Sequence, residues 1–279
     1  MQTRCLAGLL VLVALSAPAA AQQGWDFGTA SSPDKLGVKA GALAEASGLV
    51  QGLVKEDEVL GAVVLVARGR SIVLHEAYGA RDVDGTLSMQ TDTLFRMASN
   101  TKAVTAAALL LLVDQGTVGL DDPVHKWMPE WNQGVAKKVT VRHLLTHTSG
   151  LRIRSLFLYP LMRPSKSHPG APNLVLECAR FAKVGPKFEP GATYSYSNPG
   201  YNTIAAIVEL ASGKGFEEFC TERFYQPLGM GDTNHHESRA DLARMSVVVR
   251  GTKSKQWQAR WAPGDRATVP FVRGSGGLI

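Results

Sequence analysis

Long apolar segments and cysteines are both scarce in this chain of 279 residues. After the N-terminus it has no uninterrupted apolar run of about eighteen residues, the length that a membrane-spanning helix needs, so we expect none in the mature protein. One of the three cysteines, Cys5, lies in the N-terminal segment. The other two, Cys178 and Cys220, have partly apolar helical contexts that are compatible with either a disulfide or two buried thiols.

A concentrated positive charge is also missing. The net charge is +6 at pH 7, but the basic residues are scattered along the chain rather than gathered in a stripe. This pattern argues against nucleic acid as a partner, whereas a mildly basic surface is compatible with anionic substrates or simply with solubility. Because 45% of the residues are hydrophobic, we expect one large domain or two closely joined lobes rather than disorder.

The N-terminal segment has the parts of a secretory signal peptide. Arg4 supplies a positive charge, CLAGLLVLVAL an apolar core, and the small residues before Gln22 a cleavage site. We therefore predict a signal peptide at 1–21, cleavage near Ala21, and a periplasmic or secreted location.

The rest of the chain changes from mixed to helical character near residue 92. Residues 35–54 have apolar residues at helical spacing, and residues 61–79 are rich in Val, Ile and Leu and interrupted by Gly69, as in a β-hairpin. A hairpin alone is barely stable, so it needs a covering helix or further strands, for which the apolar run at 246–250 is a candidate. Helical patterns then occur at Lys102–Asp114, Val141–Leu145, Leu174–Ala182, Tyr201–Leu210 and Phe216–Phe224.

The segment FRMASNTKAV places Ser99 and Lys102 at the start of an apolar helical run. Residues three apart on a helix share a face, so the lysine can approach the serine hydroxyl. A lysine whose pKa is lowered by burial can take the hydroxyl proton, and a helix N-terminus stabilises the developing anion. A helix-capping serine followed by a solvated lysine explains the pair equally well, and Ser32 with Lys35 repeats the spacing in a linker-like stretch.

A second segment, GATYSYSNPGYN, adds Tyr196 and Asn198 between a turn and a helical pattern. Without Ser99 we would interpret them as a core aromatic and a turn residue. Three motifs in this order, FRMASNTK, HLLTHTSGL and FEPGATYSYSNPGYN, resemble the serine β-lactamase and penicillin-binding protein superfamily in its class C and esterase-like branch. The resemblance extends from about Ala42 to the last residue.

The resemblance implies a role for each of these residues. It also implies that the reaction needs no metal or cofactor. Ser99 is implied as the acyl-accepting nucleophile and Lys102 as its proton-accepting partner. Tyr196 is implied as a second base that activates the deacylating water, and Asn198 as the residue that holds the substrate amide or the lysine ammonium. A phenol near ammonium groups can have a lowered pKa, which suits a base.

The implied fold is α/β (α+β) and β-lactamase/transpeptidase-like, with an antiparallel sheet lobe and a mostly helical lobe. We expect a linker at 22–34 and a β-lactamase-related domain at 35–279. Within it we expect the α/β lobe at 35–91, the helical lobe at 92–270, and the site between them.

Patterns of other hydrolases are missing. The sequence has no Gly-x-Ser-x-Gly, which disfavours an α/β-hydrolase, and Tyr196 stands where class A β-lactamases have Ser-Asp-Asn. His143 and His147 are four residues apart, as zinc ligands are, but the intervening residues lack the glutamate of a metalloprotease. We predict structural roles for both, and a polar loop at His235 and His236.

One motif of the superfamily is also missing. A Lys-Thr-Gly, His-x-Gly or Trp-Gly-Gly strand should follow the stretch VRGSGGLI, where this sequence stops. The HPG at 168–170 precedes Tyr196, so we interpret it as a chance match. We expect a truncated chain that lacks C-terminal strands and one oxyanion-hole donor, whose loss commonly costs about 2.7–4 kcal/mol. Alone it should hydrolyse weakly or fold marginally.

The hypothesis is therefore a serine hydrolase that forms an acyl-enzyme on Ser99. Its substrate would be an amide or ester: a β-lactam, a D-alanyl peptide or a small ester, among which the family pattern does not choose. The alternative is a catalytically silent domain that binds cell-wall peptides, for which the missing motif is the best support. The intact set of site residues favours the enzyme.

Overall fold

The computed structural model describes residues 28–29, 32–153, 159–236, 240–252, 255–265 and 269–279. The predicted signal peptide at 1–21 lies outside these ranges. Within them, no helix combines the length and the apolar character that crossing a membrane requires.

The N-terminal part is a three-stranded sheet covered by one helix. Strand β3 (Ser71–Gly79) is the central strand. It pairs antiparallel with β2 (Gly61–Arg68) and parallel with the short β1 (Gly28–Thr29). Helix α1 (Ala40–Lys55) packs on β3. Gly69 forms the hairpin turn with a φ of +64°, a left-handed conformation that glycine adopts without steric penalty. The predicted helix and hairpin are confirmed.

The remaining chain is mostly helical. A π-helical turn at Thr221–Tyr225 directly follows the helix that ends at Cys220, and short 3₁₀ turns lie between other helices. The five predicted helical patterns are confirmed. They form α2 (Thr101–Asp114), α3 (Val141–Leu145), α4 (Leu174–Val184), α5 (Asn198–Ser212) and α6 (Phe216–Cys220).

Helix α5 is the centre of the helical part. Its residues 204–208 are completely buried, and it packs against α2, α3, α4 and α6. A helix that is apolar on every side is stable only when it is covered on every side. The buried Trp131 adds a polar tie, because its indole N–H donates to the Cys178 carbonyl of α4 at 3.2 Å.

The apolar run near 246–250 does not extend the first sheet, because β4 (Val248–Thr252) pairs with β5 (Lys255–Trp261) in a separate two-stranded sheet. Cys178 and Cys220 are both free, buried thiols. The prediction of a polar loop at His235 is wrong, since this side chain is 2% exposed, and its burial lowers its pKa to about 4.

The last described segment, residues 274–279, lies against α2 and α5. The Gly274 carbonyl accepts a hydrogen bond from the Thr105 hydroxyl at 2.7 Å, and the next N–H donates to the Asn202 side chain at 3.1 Å. A Cβ atom on Gly274 would lie 2.5 Å from the Tyr201 carbonyl oxygen and 2.6 Å from the Ala205 Cβ. Only glycine therefore fits between the two helices at this point.

Replacing Gly274 by alanine is expected to lower the free energy of unfolding by about 1–3 kcal/mol, because the added methyl group overpacks this contact. The matched control is Gly48→Ala in α1, where a Cβ meets nothing within 4 Å. That change should stabilise by about 0.4–1 kcal/mol. Urea unfolding followed by circular dichroism measures both, and an unchanged midpoint for Gly274→Ala would contradict the tight packing.

Candidate active site

Ser99 lies in a 3₁₀ turn, Ala98–Asn100, directly before α2. The preceding Ala98 has a φ of +45°, a left-handed conformation that is uncommon for a residue with a Cβ. The Thr101 hydroxyl donates to the Ala98 carbonyl at 2.6 Å and accepts from the Leu278 N–H at 3.1 Å. Strained conformations of this kind persist only where surrounding contacts hold them, and they cluster at functional sites.

Lys102 lies in the first turn of α2 and is 6% exposed. Its ammonium group donates to the Ser99 hydroxyl oxygen at 3.1 Å and to the Ser275 carbonyl at 2.6 Å. These two acceptors compensate part of the cost of removing an ammonium group from water. The sequence interpretation missed Ser275, because a backbone carbonyl has no residue signature beyond the surrounding glycines.

Tyr196 reaches the same hydroxyl from the loop before α5. Its phenol donates to the Ser99 oxygen at 2.8 Å, and its ring centre lies 4.8 Å from the Lys102 nitrogen. Partial burial alone would raise the pKa of Tyr196, but hydrogen bonds with Lys102 and Ser99, together with the lysine charge, lower it overall. The fold thus brings together three predicted site residues.

Asn198 is the first residue of α5 and lies two positions after the tyrosine. Helix α5 begins here because the Ser197 side chain caps it, accepting the Gly200 N–H at 3.0 Å, and Pro199 occupies the first turn. The Asn198 side-chain oxygen is buried and has no hydrogen-bond partner among the described residues. A buried amide oxygen without a partner is unfavourable unless a water or another bound molecule donates a hydrogen bond to it.

His147 is a further residue of the site, which the sequence interpretation treated as scaffold. Its Nδ1 accepts the Ser197 N–H at 3.0 Å, and its carbonyl accepts the Ser195 N–H at 2.7 Å. Its ring stacks on that of Tyr196, with 4.5 Å between the ring centres. His147 therefore holds the chain on both sides of the tyrosine. Burial and the charge of Lys102 lower the pKa of His147, which favours the neutral ring that can accept this hydrogen bond.

His143 has a separate structural role at the start of α3. Its Nδ1 accepts the Thr140 N–H at 3.2 Å, while the Thr140 hydroxyl accepts the His143 N–H, which completes a capping box. In both His143 and His147, the ring nitrogen Nδ1 thus accepts a hydrogen bond from a backbone N–H. The predicted structural roles are confirmed.

A small, mainly antiparallel sheet lies beside a helical body, with the Ser99 turn at the start of a half-buried helix. This arrangement is a β-lactamase/transpeptidase-like fold. The Beta-lactamase family model matches residues 46–279, and the chain belongs to this family. The resemblance inferred from the three motifs is confirmed.

Two relatives show the range of the family. The chain is 35% identical to esterase EstB of Burkholderia gladioli over 234 residues. This match covers 81% of this chain and 58% of that protein. The chain is also 32% identical to a penicillin-binding protein of Bacillus subtilis over 198 residues. This match covers 70% of this chain and 42% of that protein. The chain thus spans about half the length of these relatives.

Solved structures have the same fold. The D-amino acid amidase from Ochrobactrum anthropi superposes with a TM-score of 0.61 at 26% identity, over 84% of this chain and 66% of that one. The octameric penicillin-binding protein homologue from Pyrococcus abyssi superposes with a TM-score of 0.66, over 85% of this chain and 53% of that one. Its 23% identity shows the fold alone.

The role of His147 in holding the tyrosine loop can be tested with two variants. His147→Phe keeps an aromatic ring but leaves the buried Ser197 N–H without an acceptor, so it should lower the free energy of unfolding by about 1–3 kcal/mol. His147→Asn offers an oxygen acceptor and tolerates the φ of +58° at this position. It should therefore be the more stable variant in urea unfolding; the reverse order would contradict the proposed contact.

Proposed function

We propose that this protein is a serine hydrolase that transfers the acyl group of an ester or amide to Ser99 and then to water. The observation that carries the proposal is the meeting of two groups that can exchange protons, the Lys102 ammonium and the Tyr196 phenol, on one serine oxygen at 3.1 and 2.8 Å. A serine hydroxyl is a weak nucleophile until such a partner removes its proton.

In the proposed acylation step, the Ser99 oxygen attacks the substrate carbonyl carbon and its proton passes to the Tyr196 phenolate. The resemblance implied Lys102 as the proton acceptor. In this proposal Lys102, whose ammonium group donates to the Ser99 oxygen at 3.1 Å, instead stabilises the phenolate by its positive charge before the transfer. The tyrosine then delivers the proton to the leaving oxygen or nitrogen as the bond to the acyl carbon breaks. Deacylation repeats the sequence with water in place of the serine hydroxyl.

The named relatives support a substrate with an ester or amide bond. They include an esterase, a D-amino acid amidase and a penicillin-binding protein. In this proposal the Asn198 side-chain oxygen, which has no partner among the described residues, accepts a hydrogen bond from a substrate amide N–H or from the lysine ammonium. The candidate substrates are small esters, D-alanyl peptides and β-lactams. The signal-peptide pattern supports a periplasmic or secreted setting, where cell-wall peptides occur.

A labelling experiment tests the proposed nucleophile. The protein is incubated with a fluorescent penicillin and, separately, with a short-chain chromogenic ester, and the same is done with Ser99→Ala. Covalent labelling and ester turnover should both be lost in the variant, because no other hydroxyl contacts both proton-exchanging groups in the part of the chain that the structure describes. Labelling that survives Ser99→Ala would remove Ser99 from this role, and saturable binding without labelling in either protein would favour the silent binding domain.

The lowered pKa of Tyr196 predicts a pH dependence. Since the phenolate is the active form, kcat/KM should rise with pH through a midpoint below the ordinary tyrosine pKa of 10.0, as the proton is lost more readily than from a free phenol. Tyr196→Phe should remove this limb and reduce kcat/KM by about a hundredfold or more.

The control is Tyr194→Phe, which removes the hydroxyl of an exposed neighbouring tyrosine and should leave the profile unchanged. Ultraviolet absorbance of the phenolate, taken as the difference between the unmodified protein and Tyr196→Phe, reports the same pKa directly. A tyrosine titration at or above the ordinary value would contradict the proposed base.

A further inference from the structure

A cavity of about 420 Å³ opens beside Tyr196 and Asn198, and two basic side chains line it. We propose that this cavity binds a carboxylate substituent of the substrate through Arg152 and Lys187. The inference rests on the proposed function and adds a substrate class to it: esters or amides that carry a negative charge next to the bond that is cleaved.

The position of Arg152 is set by the core. Its two neighbours, Leu151 and Ile153, are only 1% and 3% exposed, so this stretch is anchored, while Arg152 itself is exposed and lines the cavity. The Leu151 carbonyl accepts the Ser197 hydroxyl at 2.8 Å. Arg152 is therefore fixed to the same loop that carries Tyr196 and Asn198.

Lys187 is attached to the same framework from the other side. Its backbone N–H donates to the Gly150 carbonyl at 3.0 Å. Gly150 has a φ of +75°, and a Cβ there would lie 2.6 Å from the Phe188 carbonyl oxygen, so the two segments are in close contact. Two segments distant in sequence thus present one cation each to a single cavity.

The charge of the cavity is not compensated by the described protein groups. Among the described residues, neither Arg152 nor Lys187 has an ion-pair partner, and none of the residues that line the cavity is acidic. The acidic residue nearest in sequence, Glu189, is paired with Lys138 at 2.9 Å. Because a cleft with walls of one charge sign attracts the opposite charge, and a guanidinium group matches a carboxylate in shape, the cavity suits an anionic substituent.

The test uses two matched pairs of esters. In the first pair the charge is on the acyl side: para-nitrophenyl hydrogen succinate against para-nitrophenyl butyrate. In the second it is on the leaving group: meta-carboxyphenyl acetate against phenyl acetate. The kcat/KM ratio of the anionic to the neutral member is measured for the unmodified protein, for Arg152→Gln, for Lys187→Gln and for the double variant.

In at least one pair the ratio should fall by about twofold to fivefold for each single variant and by about tenfold for the double variant, as expected for partly exposed ion pairs. The neutral members should change little. The matched control is Lys183→Gln, an exposed lysine of α4 that does not line the cavity and should leave both ratios unchanged. The pair that responds identifies the side of the substrate that enters the cavity.

Equal effects on charged and neutral esters, or unchanged ratios in both pairs, would overturn the proposal. Neutral-ester turnover that depends on Ser99 would still support the proposed function.

A binding measurement does not depend on turnover. Titration of Ser99→Ala protein with para-nitrophenyl hydrogen succinate and meta-carboxyphenyl acetate should show binding about tenfold weaker for at least one of them when Arg152 and Lys187 are both glutamine. Equal affinities would overturn the proposal even for a protein without turnover.

Discussion

The candidate site depends on holding the Lys102 ammonium group inside the protein. A buried cation is unfavourable unless polar groups replace the water it has lost. Here the Ser99 hydroxyl and the Ser275 carbonyl accept its hydrogen bonds, and the rings of Tyr196 and Tyr201 face it at 4.8 and 5.8 Å. These groups come from three separate segments of the chain, around residues 99, 196–201 and 275, so the environment of the lysine exists only when these segments are packed together.

Three packing contacts hold the segments around Lys102 in place. Residues 199–208 of α5 are buried, which gives the loop before this helix a rigid base. His147 connects to that loop through its backbone, its imidazole nitrogen and its ring, and Gly274 allows the C-terminal segment to approach both α2 and α5. The Lys102 ammonium and the Tyr196 phenol are therefore positioned by packing contacts around them, as functional sites built on rigid elements require.

The family uses one fold for several reactions, so the family alone does not choose a substrate. Relatives and neighbours of this chain include an esterase, an amidase and penicillin-binding proteins. One fold can host different reactions, because the reaction is decided by the site built on it. In this chain the cavity lined by Arg152 and Lys187 forms one wall beside Tyr196 and Asn198, and we propose it as the place for an anionic substituent of the substrate.

Local and global information contributed differently. The sequence by itself determined the helices, the first hairpin and the family, because apolar periodicity and short motifs such as Ser-x-x-Lys are encoded by residues close together in the chain. The Ser-x-x-Lys spacing alone did not distinguish Ser99 from Ser32, which begins an identical spacing; the two later motifs did. The sequence did not show that His235 is buried. Only the tertiary structure decided that Tyr196 meets Ser99 across 97 positions and that a carbonyl of Ser275 binds Lys102 across 173. The physical reason is that such contacts are set by how helices pack in three dimensions, and a backbone carbonyl or a cavity wall leaves no local pattern by which it could be recognised.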